Sequence, residues 1–251
     1  MTSCLVVQHL APESSWAIGD ALASAGIVVD VRRADMDDPI PTSAADHDGV
    51  VVMGGPMSAS SDDGFVTRRA ELALLSDAVT SGKPTLGVCL GAQLLALAGG
   101  GRVRPGEHGP EVGWAPVELS PVAAADPLLA GLPRRVDVLH WHGDTYEPPP
   151  GSVQLASSGR YANQAFRVRD AAWGVQFHLE VTSDAVDAFV DAFTEEAGCA
   201  PGGATALRRA TPHQLEQLRP WQQLVFDRFA ALVGGAHGDE SRDRFVDISS
   251  P

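Results

Sequence analysis

The chain predicts a doubly wound α/β fold: a mostly parallel central sheet with helices on both faces and a smaller antiparallel extension. Three observations carry that prediction. The run Gly49-Val50-Val51-Val52-Met53 is β-branched and unbroken by polar residues, as a strand buried on both faces is. Strand-like and helix-like periods alternate up to residue 98, the βαβ rhythm of a parallel sheet. Beyond Gly99-Gly100-Gly101 the apolar runs shorten and Pro and Gly become frequent, which suits an antiparallel extension.

Taken in order, residues 4–8 read as the first strand. A helix over 14–25 comes next, and Gly26 closes it as a left-handed cap residue. Residues 27–31 form the second strand and 49–53 the third. Gly54-Gly55-Pro56-Met57 at its end permits either a plain turn or a loop whose N–H groups cradle an anion. Residues 66–80 have the helical period, with Leu72, Leu75 and Val79 on one stripe, Arg68, Arg69, Glu71 and Asp77 mostly elsewhere, and Gly82 as the stop. Pro84-Thr85-Leu86 is a short buried strand that leads into Gly87-Val88-Cys89-Leu90-Gly91 and a helix-forming stretch, 92–98. Strands over 113–119, 136–141 and 153–157 succeed it, and then a pair over 163–168 and 172–177 that delivers His178. A helix over 183–196 buries Val186, Phe189, Val190 and Phe193. After a Gly/Pro linker at 199–204, Thr211-Pro212-His213-Gln214 has the form of a capping box, with Thr as N-cap and Pro at N1. It opens a helix with Trp221, Val225, Phe229 and Leu232 on one stripe and a bend near Pro220. The predicted organisation is one α/β domain over 1–197, a linker and packed helical extension over 198–233, and a disordered tail over 234–251.

The 251 residues are enough to bury a sizeable core. A formal charge of −14 repels phosphates and argues against nucleic-acid or anionic-membrane partners. Cys4, Cys89 and Cys199 are odd in number, widely spaced and free of any CxxC pair, so neither a disulfide framework nor a cysteine zinc site is expected. The N-terminus lacks a basic, then apolar, leader, and no stretch approaches the ~20 apolar residues of a membrane span. A soluble protein of the reducing cytoplasm is the expectation.

Strand, sharp turn and helix around Cys89 have the form of a nucleophile elbow, G-x-nucleophile-x-G, in which small neighbours let the backbone turn tightly. At a helix N-terminus the thiol meets unpaired N–H groups and the positive dipole end, which predicts a lowered pKa. The same geometry aims the Leu90 N–H at a developing oxyanion. From the pentapeptide alone, a buried structural cysteine between glycines is an equal reading. An acyl-transfer site also needs a base beside the thiol and a group that holds the base. His178-Leu179-Glu180 offers both, because residues two apart in an extended segment face the same side. An isolated His-x-Glu is more often a solvated strand end. Placement favours chemistry here: Cys89, His178 and Gly54-Gly55-Pro56 each end a predicted strand at the carboxyl edge, where such sheets bind ligands. His108, His140 and His142 lack a carboxylate or thiol at convincing ligand spacing and read as loop or satisfied polar residues, so no metal is predicted. Cys4 and Cys199 read as inert.

Gly54-Gly55-Pro56, Gly87-Val88-Cys89-Leu90-Gly91-Ala92-Gln93 and Gly174-Val175-Gln176-Phe177-His178-Leu179-Glu180 resemble, in order and approximate spacing, the three signatures of class I (triad) glutamine amidotransferases. Through Glu111-Val112-Gly113-Trp114, His140-Trp141-His142-Gly143-Asp144 and Asn163-Gln164-Ala165-Phe166 the chain further resembles a stand-alone branch similar to the amidotransferase domain of GMP synthase. The resemblance covers about 49–182 and implies a flavodoxin-like fold. It implies Cys89 as nucleophile, His178 as general base and acid, and Glu180 as the residue orienting His178. Gly55 and Leu90 would supply oxyanion N–H groups, while Gly54, Gln93, His142, Gly143 and Asp144 would lie near bound substrate. The implied reaction is hydrolysis of the side-chain amide of glutamine, or of a γ-glutamyl amide, through a glutamyl thioester, with no cofactor. One departure stands out: Leu179 occupies the position where the family commonly has Pro, and the loss of a fixed φ loosens the expected aim of Glu180.

The chain contains no P-loop and no second domain able to activate an ammonia acceptor, so it either serves a separate synthetase or works as a hydrolase. Two other readings compete: a PfpI-like cysteine hydrolase or stress protein on a related sheet, and a non-catalytic glutamine-binding partner. An α/β-hydrolase is disfavoured, because Glu180 comes after His178 in the chain rather than before it.

Overall fold

The structure, a computed structural model, describes residues 1–235. The first half alternates as β1 (Ser3–Gln8), α1 (Trp16–Ser24), β2 (Val28–Arg33), β3 (Gly49–Val52), α2 (Arg68–Thr80), β4 (Thr85–Val88) and α3 (Leu90–Ala98). Then come β5 (Arg102–Pro105), β6 (Glu111–Leu119), β7 (Arg135–His142), β8 (Asp144–Glu147), β9 (Val153–Ser158), β10 (Ala165–Val168) and β11 (Ala172–Val175), and after them α4 (Ser183–Ala192), α5 (Thr194–Gly198) and α6 (Gly203–Gly235). Nine strands form one sheet in the order β2-β1-β3-β4-β11-β10-β9-β6-β7. The pairings from β2 through β11 are parallel and those from β11 to β7 antiparallel, so only β10 and β6 run against the rest. This is the predicted mostly parallel sheet with an antiparallel extension, flavodoxin-like in its doubly wound half.

The period of two along the strands decides which layer each side chain joins. On β1, Cys4 and Val6 pack in one core cluster with Ile18 and Leu22 of α1, Val186 and Phe189 of α4, and Val225 and Phe229 of α6. Leu5 and Val7 pack in the other with Leu74 and Leu75 of α2 and Leu94 and Leu95 of α3. The sheet is therefore covered on both faces, which is why its central strands read as continuous apolar runs.

Several local expectations are corrected. The buried face of α2 is Glu71, Leu74, Leu75 and Ala78, with Leu72 and Val79 only flanking it, so a glutamate takes a core position. The helix expected over 183–196 breaks at Phe193, whose φ of −121° and ψ of 60° are not helical, into α4 and α5. β5 and β8 pair with each other as a separate two-stranded sheet; the polar run Arg102-Val103-Arg104-Pro105 shows no strand period. Thr211 does not cap a helix. It lies inside α6, its hydroxyl donating to the Leu207 carbonyl at 2.9 Å and accepting from the Trp114 indole at 3.1 Å. α6 runs on through Pro212 and Pro220, although each removes one N–H from the helical ladder. Its buried stripe, including Leu207, Leu215, Leu218, Phe226 and Val233, outweighs that loss by packing on the sheet. Gly234 and Gly235 close α6; the rest of the tail expected to be disordered, 236–251, lies outside the described residues. Among the described residues no helix is long and apolar enough to cross a membrane.

Candidate active site

Cys89 stands between β4 and α3 with φ 50° and ψ −104°, a conformation that a β-carbon makes costly and that surrounding structure must hold. The glycines around it show how. A β-carbon on Gly87 would lie 2.4 Å from the Gly91 carbonyl oxygen, and one on Gly91 would lie 1.9 Å from that of Val52. Both positions are needed for close backbone approach, and the Cys89 N–H is tied to the Val175 carbonyl at 2.8 Å. The thiol lies 3.5 Å from the Trp141 carbonyl and accepts from the Gln176 amide at 3.6 Å. Gln176 also receives a 3.2 Å bond from Gln93. No local sequence pattern announces this relay through Gln176.

His178 and Glu180 meet as the two-residue spacing predicts, Nδ1 to Oε1 at 2.7 Å, each 1 % exposed. Phe189 packs edge-on against the His178 ring, with centroids 5.1 Å apart, and the His178 N–H bonds to the Leu139 carbonyl. The backbone of the pair is clamped from two helices. The Glu180 carbonyl accepts from the Ala17 N–H at 3.1 Å. Gln222 of α6 donates to the carbonyls of Leu179 and Val181, both at 2.7 Å. Thus the segment that lacks a proline at 179 is held on either side of Glu180 by side-chain hydrogen bonds. The Glu180 Oε2 atom is buried without a hydrogen bond.

Burial pushes the Cys89 thiol up, against the pull of His178, and the charges of Glu13 and Glu180 add to the rise. The lowered pKa expected from the helix N-terminus alone is therefore corrected. Burial also works against an imidazolium at His178, but Glu180 and the hydrogen bonds to Cys89 and Glu180 lift His178 well above its ordinary 6.5.

Gly54 and Gly55 carry no positive φ; they are small because their neighbours are close. A β-carbon on Gly54 would lie 1.7 Å from Glu13 Oε2 and 3.3 Å from His178 Cε1, and one on Gly55 would lie 2.8 Å from Leu90 and 3.0 Å from His9. Beneath this loop His9 offers Nδ1 to the Gly54 carbonyl and Nε2 to Glu71, both at 2.8 Å. Both partners are acceptors, so both ring nitrogens donate and the ring is an imidazolium. Although burial opposes it, the bond and charge of Glu71 raise the His9 pKa. Glu13, on a 3-10 turn over Ala11–Glu13, is also buried, and desolvation drives its carboxyl up to about 7. Sequence reasoning assigns no site role to His9, Glu13 or Glu71; an acid in a helical turn reads as surface.

An open cavity of about 420 Å³ joins these parts. Cys89, Gly55, Leu90, Gln93, His142, Gly143 and Asp144 line it, together with Glu13 and Trp141. Of the residues predicted near substrate, Gly54 alone stands behind the wall. The histidines of β7 need a correction: a carboxylate does accompany them. Register pairs Glu111 with His142 across β6 and β7, and Glu111 Oε2 lies 3.1 Å from His142 Nε2 and 3.6 Å from His140 Nδ1. Burial lowers the His140 pKa to about 4, which Glu111 only partly opposes. Despite burial, the bond from His142 and the proximity of His140 hold the Glu111 carboxyl below its ordinary range. The signal in the sequence is His-x-His on one strand facing an acid on its antiparallel neighbour.

Comparison with known proteins places this geometry among relatives. The family model described as glutamine amidotransferase class-I matches residues 13–193. The Salmonella typhimurium protein YfeJ, described as glutamine amidotransferase-like, is 28 % identical over 87 % of this chain and 94 % of its own length. The glutamine-hydrolysing GMP synthase of Thermomicrobium roseum is 39 % identical over 61 % of this chain, which spans only 27 % of that protein. A crystal structure of a glutamine amidotransferase from Methylobacillus flagellatus superposes with a TM-score of 0.84 at 32 % identity, over 92 % of this chain and 95 % of that one.

Proposed function

The chain belongs to the class I glutamine amidotransferase family, and on that premise we propose that it is a cysteine amidase acting on the side-chain amide of glutamine or of a γ-glutamyl amide. The observation that carries the reading is the conjunction of Cys89, held at φ 50° on the cavity wall, with the buried 2.7 Å His178–Glu180 pair. In the proposed cycle His178 takes the Cys89 proton as sulfur attacks the amide carbon. The N–H groups of Gly55 and Leu90 receive the charge that develops on the amide oxygen. His178 then returns its proton to the leaving nitrogen, the C–N bond breaks, and ammonia or an amine departs from a glutamyl thioester. Water, deprotonated by His178, attacks the thioester, releasing glutamate and restoring the thiol. Glu180 keeps the proton of His178 Nδ1 in place and stabilises the imidazolium, as the acid of a triad does. Gln93, His142, Gly143 and Asp144 line the space the substrate would fill, with Gly54 behind them.

In this reading the released ammonia either passes to a separate synthetase subunit or leaves as the product of a hydrolase. No specific observation favours the PfpI-like or the non-catalytic alternative. The test is glutamate release from glutamine and from a set of γ-glutamyl amines, with and without cell extract. Release that disappears in Cys89→Ala is expected; release that persists in that variant, or its absence with every substrate, overturns the reading.

A further inference from the structure

We propose that Glu111, His140 and His142 form a closed site for one divalent transition-metal ion, Zn²⁺ by its donor set, behind the cavity wall at the β6–β7 edge. The ligand atoms of the three residues all lie within 4.8 Å of one another. Two of the separations, 3.1 Å and 3.6 Å from Glu111 Oε2, bracket the spacing of about 3.3 Å that tetrahedral ligands adopt around Zn²⁺ at bond lengths near 2.0–2.2 Å.

His140 points to a ligand most directly. Its ring is 1 % exposed, and although the Ala115 backbone and the Glu111 carboxylate lie near it, neither nitrogen makes a hydrogen bond of good geometry, a costly state for a buried imidazole. His142 adds a second sign. Its Nδ1 lies 3.0 Å from the Asp144 carbonyl, which can only accept, so Nδ1 carries the proton. Its Nε2 reaches Glu111 Oε2 at 3.1 Å, a hydrogen bond whose proton a cation bound between the two groups would replace. A histidine whose second nitrogen donates to a carbonyl, beside a ligating carboxylate that is itself hydrogen-bonded, is the usual support around a bound metal. Here Ser158 donates to Glu111 Oε1 at 2.7 Å. Gln164 completes the set. Its amide nitrogen sits 2.7 Å from Glu111 Oε2 and 3.3 Å from His142 Nε2, while its Oε1 is buried without a partner. A half-turn of the amide about its Cγ–Cδ bond brings that oxygen into fourth position.

Two imidazoles, a carboxylate and an amide oxygen suit Zn²⁺ rather than Mg²⁺ or Ca²⁺, which demand six or more oxygens. With all four positions taken by the protein, the ion is structural. It would pin the end of β7, where the Trp141 carbonyl meets the Cys89 thiol and His142 faces the cavity.

The test uses the full chain as Cys89→Ser, so that the cavity thiol cannot capture metal, stripped with a chelator and titrated with Co²⁺ and then Zn²⁺. Expected are one equivalent bound, the intense visible bands of four-coordinate Co²⁺, their loss on adding Zn²⁺, and a Zn²⁺-dependent rise in Tm. His140→Ala should weaken binding by more than the roughly 10–100-fold that loss of an outer-shell partner costs, and His140→Gln, closer in size, should do the same if the alanine variant does not fold. Absence of stoichiometric binding and of those bands in the Cys89→Ser protein overturns the site, as does binding of unchanged affinity in either His140 variant.

Discussion

His9 and Glu71, 62 positions apart, are joined at 2.8 Å with neither side chain exposed, and the other nitrogen of His9 holds the carbonyl of Gly54. A buried ion pair thus stands directly under the loop that supplies Gly55 to the cavity. Breaking such a pair by removing one partner leaves an uncompensated charge and costs about 3–5 kcal/mol. Glu71→Gln is expected to lose about that much in urea unfolding, and to lower kcat for glutamate release as the Gly54-Gly55 loop loosens. A loss below about 1 kcal/mol contradicts the pairing. The His9 pKa is raised above 6.5 in the folded chain, so its stabilising contribution is fully present below pH 6.5 and falls as pH rises through the higher folded value. The stability gap between wild type and Glu71→Gln should therefore narrow on the alkaline side.

Glu13 behaves in the opposite sense to most carboxylates. Its pKa moves from 4.5 up to about 7, so the folded chain binds more protons than the unfolded one between those values, and stability falls as pH rises across that window. At 1.36 kcal/mol per pH unit the cost reaches about 3 kcal/mol once Glu13 is ionised. Glu13→Gln should remove this decline and be more stable than wild type above pH 7. Equal slopes of Tm against pH in the two proteins would refute it. Because Glu13 lies beside Gly54 and the Cε1 edge of His178, its ionisation should also shape the pH profile of kcat/KM near 7.

Gln222 answers for Leu179. Its amide bridges two carbonyls that flank Glu180, so Gln222→Leu leaves both without that donor and is expected to cost about 2–4 kcal/mol. If the bridge aims Glu180, kcat should drop while Cys89 is still alkylated by a glutamine-mimicking electrophile. An unchanged kcat in a stable Gln222→Leu protein would show that Glu180 keeps its aim without α6.

Legible in the sequence are the features set by period and by backbone economy. Val50, Val51 and Val52 announce a doubly covered strand, and glycines at 87 and 91 announce a turn with no room for side chains. His178 and Glu180 share a side because strands have a period of two. Hidden residues are those whose role depends on a partner far along the chain. Glu71 breaks the apolar stripe of α2 and reads as surface until His9 arrives. Glu111 belongs to no local pattern with His140 until β6 and β7 pair. Thr211 and Pro212 compose a plausible helix start, and only packing of α6 across the sheet turns the Thr211 hydroxyl inward, within a continuous helix that leaves Pro212 exposed. The stripe of Leu72, Leu75 and Val79 is offset from the observed face because a period count places a charge outward, whereas Glu71 is buried.

The place of β11 in the sheet has a consequence for synthesis. It is the last of the sheet strands to be made, yet it enters between β4 and β10, and the segment just past its end brings His178 beside Cys89. In the proposed cycle, a chain already displaying Cys89 therefore has, until that insertion, a thiol with no base beside it. Chemical competence is postponed to the closure of a loop of 87 residues, separating Cys89 from Gln176, and such long-range closures are the slow events of folding. The alkylation rate of Cys89 is then a clock: during refolding it should lag the recovery of helical signal and mark the moment the central strand docks.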